Sequence, residues 1–413
     1  MKARLLVAAM AVAVLVGREL SVDPWRDWQP PKVELPVPNA FDDYQLAAQL
    51  VRDPWNGELP WPDPLRDAAA RRRVLAENAE ALRALRAGFA HPCVEPRAHA
   101  ADFGDSFHTR CSTLARILGW QAVEHAAQGR YAAALASGLD AEQLGFDLAR
   151  RAALGGLATG RSARAAGRDE KAVQPRIDPL TASEARAAAA RLAALLASEQ
   201  SLTQSLTDDR DCNLQWFAAQ NVTNHRRITN NLAENCRWRA ARSLTEWVGP
   251  GPWVAAYRRY MDAVVAWSAL PWNAAPPPRE DLFFAGNPQY GDGARTVSFA
   301  YARADAEDHM FLAALALQAW RAEHGAYPDT LDALVPDILK EVPADPFGRG
   351  ALRYRRDGER YVLYGVGPEG RDHGGRPAAE GVIDGDWRPA RDLRSRGDFV
   401  WRCPQGAPTR AAP

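Results

Sequence analysis

Long apolar stretches, net charge and catalytic fingerprints are all scarce in this chain. The apolar run near the N-terminus, Leu5 to Gly17, has thirteen residues. As a helix it would span about 20 Å, short of the roughly 30 Å hydrocarbon core of a bilayer. Lysine plus arginine number 51 and so do aspartate plus glutamate, so no global basic field draws nucleic acid. The GxSxG, HExxH, Walker and dinucleotide-binding patterns are all missing, which removes the usual sequence grounds for assigning a reaction. Cysteine is limited to five residues, and strand signals are nearly absent before residue 295.

What is present at the N-terminus reads as an export signal. Lys2 and Arg4 precede the apolar run and Arg18-Glu19 close it, the order of a positive region followed by a hydrophobic one. Residues 1–20 are thus expected to be a signal peptide or a short membrane anchor, and either form puts the rest outside the cytoplasm. Membrane contact is expected only through this segment. The cysteines suit an oxidising compartment. Cys212 and Cys236 stand symmetrically about Asn224, within the turn-favouring run QNVTNHRRITNN. A helical hairpin there would bring both sulfurs to one height. Cys93 and Cys111 flank a loop with Pro92, Pro96 and Gly104 and form the second candidate disulfide, leaving Cys403 over.

The expected fold class is mainly α: a multi-helical body of antiparallel hairpins, followed by a small α+β domain with one long helix and a three-stranded antiparallel sheet. Residues 21–66 form an extended Pro/Trp-rich segment and 67–270 the all-α body. Within the body, Leu75, Leu82, Leu85 and Phe89 mark one buried face. Gln128-Gly129 separates two helices, Gly155, Gly156 and Gly160 loosen the chain, and Thr181 with Glu184 makes a capping box. A Pro-rich linker covers 271–300. From 301 to 403 the pattern changes to a helix through Phe311, Leu315 and Trp320 capped by Gly325, then a short helix over Thr330 to Leu334. Strands at 351–356, 360–366 and 398–402 follow, with Asp357-Gly358 at the first turn.

That last portion carries a family resemblance. It reads His324-Gly325-Ala326-Tyr327-Pro328, then Asp345-Pro346-Phe347-Gly348, Leu352-Arg353-Tyr354, Tyr361-Val362-Leu363-Tyr364 and Gly367-Pro368-Glu369-Gly370-Arg371-Asp372. In this order it resembles the globular part of a major pseudopilin of type II secretion systems. The whole chain also resembles a group of uncharacterised exported bacterial proteins with a helical body and this tail. A proline-rich linker and helical body precede the domain here in place of a membrane-spanning helix, so it is not read as a pilus subunit. The resemblance implies an envelope location and a fold for the tail and brings no activity with it. Contact with an envelope protein of unknown identity is expected instead from the export signal, the helical hairpins and the missing catalytic motifs. The resemblance further implies a possible calcium loop, matched here by Glu369, Asp372, Asp384 and Asp386; a solvated acidic turn accounts for the same residues.

Three further groups have residue types that chemistry uses. His91, Cys93, His99, His108 and Cys111 cluster within 21 residues, but their spacing matches no familiar zinc site. Asp208, Asp209 and Asp211 lie beside Arg210 at an expected helix end, where carboxylates either work as an acid–base pair or simply solvate. Six tryptophans from Trp216 to Trp272 would line a sugar or peptide groove or pack the helices. The leading expectation is a non-enzymatic interaction or scaffolding protein of the cell envelope. The alternative is an envelope hydrolase or carbohydrate-binding protein using the Trp-rich region.

Overall fold

The computed structural model describes residues 31–52, 67–96, 106–152, 154–168, 177–223, 251–278, 293–377, 381–383, 386–388 and 396–402. The protein is mainly α with a small antiparallel sheet near its C-terminus. It divides into two compact units, one built from Met1–Glu34, Pro96–Phe103 and Ser201–Ser298, the other from Leu35–Glu95, Gly104–Gln200 and Phe299–Pro413.

The second unit opens with α1 (Ala40–Leu50), α2 (Ala68–Glu77) and α3 (Ala79–Gly88). Asn39 caps α1, its Oδ1 accepting from Phe41 N and Val94 N. Asn78 divides what the apolar repeat reads as one helix. Its side chain donates to Val74 O and Arg52 O and accepts from Arg52 N, so a polar side chain competes with the helical backbone and breaks it. Next come α4 (Phe107–Ala127) and α5 (Tyr131–Ala149), joined through Gly129 at φ 71°, the left-handed conformation glycine adopts without strain. Leu82, Leu85, Leu114, Ile117, Leu118 and Leu144 from these helices share one core cluster.

α5 is enclosed almost all round, from Ala134 to Leu148, as befits a helix with little polar face. Its closest neighbour is α6 (Leu154–Gly167). Here the structure departs from expectation, because Gly155, Gly156 and Gly160 lie inside a helix and do not loosen the chain. The physical reason is close approach. A Cβ on Gly145 would stand 2.5 Å from Gly160 O, and one on Gly138 2.9 Å from Gly167 O. Two glycine pairs therefore let the antiparallel backbones touch, and this packing offsets the roughly 1 kcal/mol each helical glycine costs. α7 (Ala182–Ala197) follows and carries the expected capping box, with Thr181 and Glu184 exchanging hydrogen bonds.

The long helix α10 (Gly293–His324) begins within the stretch expected as linker. From Met310 to Ala319 every residue is buried. On one side Gln318 Nε2 donates to Asp178 O at 2.9 Å and Leu180 O at 3.1 Å, and Arg186 on α7 forks onto Glu323 at 2.6 and 2.8 Å. On the other side lies a sheet of β1 (Arg353–Asp357), β2 (Arg360–Gly365) and, after a β3–β4 ribbon (Gly381–Ile383 with Asp386–Arg388), β5 (Phe399–Arg402). The order is β1-β2-β5, all antiparallel, with Tyr354 opposite Leu363 and Leu363 opposite Trp401. Trp401 stacks on Phe311 at 5.8 Å, and Phe299, Phe347 and Phe399 meet in a trio. The helix is thus a core element shared by the sheet and the helical body. Gly325, at φ 76°, donates its N–H to Arg321 O at 2.8 Å and ends α10 as expected. Thr330 to Leu334 closes to a 3₁₀ turn, Leu331–Leu334.

The first unit contains α8 (Leu202–Thr223), α9 (Gly251–Ser268) and the start of α10. Leu206, Met261 and Val264 form its described core, with Leu202, Tyr257, Tyr260 and Val297 against them.

Candidate functional site: a buried ionic network on the long helix

The close approach of α5 and α6 fixes the position of two arginines. Arg164 and Arg168, one turn apart on and just past α6, are both buried and face α5 and α10. Arg164 lies over the Phe146 ring at 4.1 Å. Its Nη1 meets Glu199 Oε1 at 2.5 Å, its Nη2 meets Asp308, and Asp305 stands 3.8 Å away. Arg168 also bonds Asp308, with Glu307 at 3.6 Å, and donates to Ala304 O at 3.3 Å. Asp308 on α10 is thereby gripped by both guanidinium groups.

Glu142 on α5 lies beneath the same arginines at longer range, 4.0 Å from Arg164 Nε and 3.6 Å from Arg168 Nε. It has no exposed surface, and among the described residues neither carboxylate oxygen finds a hydrogen-bond donor. Burial therefore pushes its pKa up to about 7 despite Arg168 and Arg164, with Glu199 and Glu307 adding to the rise. Asp305 is held well above the usual carboxylate range by burial and by Glu199 beside it. Four arginines (161, 164, 168 and 303) face five carboxylates (142, 199, 305, 307 and 308). Among the described residues the carboxylates outnumber the arginines by one, which favours a proton on one of the acids. Sequence reasoning missed this site entirely, because its members come from segments up to 166 residues apart.

The expected cysteine and zinc residues fall in a different place. Cys93 and Cys111 share the core cluster of α1 to α5, but no disulfide is formed among the described residues. Cys93 is a buried thiol packed as a small apolar group, its pKa raised by burial. Nearby, Tyr44 OH donates to Asp147 at 2.6 Å, and burial lifts Asp147 to about 6 against that bond and Arg150. His108 Nε2 lies 3.5 Å from buried Glu95. No group of three metal-binding side chains stands together among the described residues; His99 lies outside them. Cys236 also does, so its pairing with Cys212 does too.

Asp208, Asp209 and Asp211 sit inside α8, not at a helix end, and all three are buried. Arg210 binds Asp211 at 2.9 Å and Asp262 at 2.7 Å. Of the tryptophans expected there, Trp267 donates to Ala275 O at 3.0 Å and Trp272 lies under Arg295 at 4.7 Å. The other four fall on side chains outside the described ones.

In the tail, carboxylates tie loops. Glu369 bonds His373 Nε2 at 2.6 Å and accepts from Gly397 N at 3.0 Å. Asp372 accepts from Arg353 Nε and Gly374 N at 2.8 Å and from Tyr364 OH at 3.2 Å; the Gly374 amide leads in holding its pKa down. Asp384 lies outside the described residues, and only the backbone of Asp386, in β4, is described. Two further loop carboxylates, neither of them singled out as a site residue in the sequence, organise the tail. Asp345 accepts from Phe347 N, Val366 N and Arg353 Nη1, and Asp398 from the His373 and Gly375 amides. The Asp345-Pro346-Phe347-Gly348 turn was a visible signal for the first.

A surface cavity of about 250 Å³, lined by Gln45, Ala48, Gln49, Ser106, Phe107 and Arg110, includes none of these candidates. Among the described residues no helix is long and apolar enough to cross a membrane, and the N-terminal apolar run lies outside them. Comparison with protein-family models, with curated proteins and with solved structures returns no match.

Proposed function

We propose that the chain is an exported or membrane-anchored envelope protein whose helical body and pseudopilin-like tail serve protein–protein contact. The observation that carries this reading is the N-terminal signal pattern, Lys2 and Arg4 before Leu5 to Gly17. The tail lends support through its order: a long helix, the Gly325 exit, the Asp345 turn and the β1-β2-β5 sheet. The buried carboxylates of the tail, Asp345 and Asp398, accept from backbone amides, and Asp345 also from Arg353, which ties the loops to the sheet.

The test has two steps. Alkaline phosphatase fused after the first thirty or so residues is expected to be active, because that enzyme folds only outside the cytoplasm. Crosslinking of envelope fractions is then expected to return one recurrent partner. An inactive fusion overturns the location, and a partner-free crosslinking pattern overturns the scaffold role.

A second reading is an envelope hydrolase or carbohydrate-binding protein, which requires Asp208 and Asp211 to converge on a cleft. Asp208 and Asp211 are buried one helical turn apart and are not splayed into solvent. Loss of glycan binding or turnover in D208N with unchanged folding would support it.

A further inference from the structure

α10 is attached to its neighbours in two different ways. Towards the sheet it packs apolar rings, Phe311 on Trp401. Towards α5 and α6 it is reached by long charged side chains, Arg164 and Arg168 meeting Asp308. α5 and α6, by contrast, touch backbone to backbone at their glycine pairs. The α5–α6 contact is thus made backbone to backbone, whereas the pair meets Asp308 of α10 through long side chains. Glu142 sits at the pivot, competing with Asp308 for the same two guanidinium groups.

We propose that Glu142 is a proton-operated latch for the long helix. Protonated, it leaves Arg164 and Arg168 wholly to Asp308 and holds α10 down; ionised, it draws on both arginines from below and loosens α10.

Charges from every element around it fit this role. α6 supplies Arg161, Arg164 and Arg168, and the turn after α7 supplies Glu199. α10 contributes Arg303, Asp305, Glu307 and Asp308, while its His309 is bound to Ala344 O. The remaining neighbours of α5 hold their charges elsewhere: Arg191 of α7 binds Asp140, and Glu124 of α4 binds Arg71. Among the described residues no further cation approaches, so an ionised Glu142 is met by the same two guanidinium groups that hold Asp308.

The sign follows from linkage. Glu142 titrates near 7 in the closed form against 4.5 for an ordinary glutamate. The closed form binds the extra proton between those values, so closure weakens as pH rises. Opening of α10 is expected to increase about 25-fold between about pH 5.5 and about pH 8.

Amide hydrogen exchange on the full chain, corrected for intrinsic rates, reads this on peptides from 304–319, with 134–149 of α5 as internal control. E142Q, neutral at every pH, is expected to flatten the response to about twofold or less. D305N, removing the other raised acid, is expected to leave it intact. An equal response in E142Q, a flat wild type, or flattening by D305N alone overturns the proposal. Should E142Q not fold, an isotope-edited carboxyl titration of the wild type decides. A Glu142 midpoint near 7 supports the latch, and one near the ordinary 4.5 ends it.

Discussion

Asp345 illustrates how one side chain can organise a loop. Its carboxylate accepts two backbone amides and one guanidinium within 3.1 Å while buried. D345A would strand Phe347 N and Val366 N, and is expected to cost about 2–4 kcal/mol in urea unfolding. Tyr44 offers a second test. Asp147 titrates near 6 in the fold against 3.8 ordinarily. The native state therefore binds the extra proton between roughly pH 4 and 6, and stability declines as pH rises through that window and is level above it. Y44F removes a hydrogen bond that favours the ionised form, so the decline is expected to extend to higher pH. Unfolding at a series of pH values checks this. Neither Asp147 nor Glu142 stood out in the sequence, since a carboxylate in an α-helical stretch reads as solvated until its neighbours from distant segments are known.

At the scale of elements, the four helical glycines of α5 and α6 make opposite demands from others in the same helix. A methyl on Gly160 would stand 2.4 Å from Gly145 O, whereas one on Gly155 meets nothing nearer than 3.8 Å. G160A is expected to destabilise by about 2–4 kcal/mol through separation of the helices. G155A should be neutral or stabilising by up to ~1 kcal/mol through helix propensity alone. Thermal melts of the two variants, side by side, test the backbone contact directly. Most elements were legible beforehand: the Thr181 capping box, the Gly129 turn, the Gly325 exit and the Asp357-Gly358 hairpin all lie where local chemistry puts them. The glycine-rich helix was not, because glycine signals a loop unless a partner backbone is pressed against it. The same holds for the Asn78 break, which depends on Arg52, 26 residues away.

For the molecule as a whole, α10 matters most, since one helix serves both the sheet and the helical body of its unit. Leu315 has no exposed surface, and L315A is expected to cost about 2–5 kcal/mol. Tyrosine and tryptophan signals from the tail and helical ellipticity from that unit should fall together in denaturant, with coincident midpoints. Midpoints that separate in L315A would show that tail and body can come apart. The expected architecture, helical with a small antiparallel sheet, was accessible from periodicity and turn chemistry. The ionic network was beyond reach, because no periodicity links Glu142 to Asp308.

The paired glycines have one more consequence. On each helix the two contact points are seven residues apart, Gly138 to Gly145 and Gly160 to Gly167. Sliding α6 by one turn so that Gly156 takes the place of Gly160 would bring Ala163 to the other point and drive its Cβ towards Gly138 O, so the second pair fixes the register of the two rods. Any motion within the unit must then be hinged elsewhere, with α5 and α6 travelling as one solid bar.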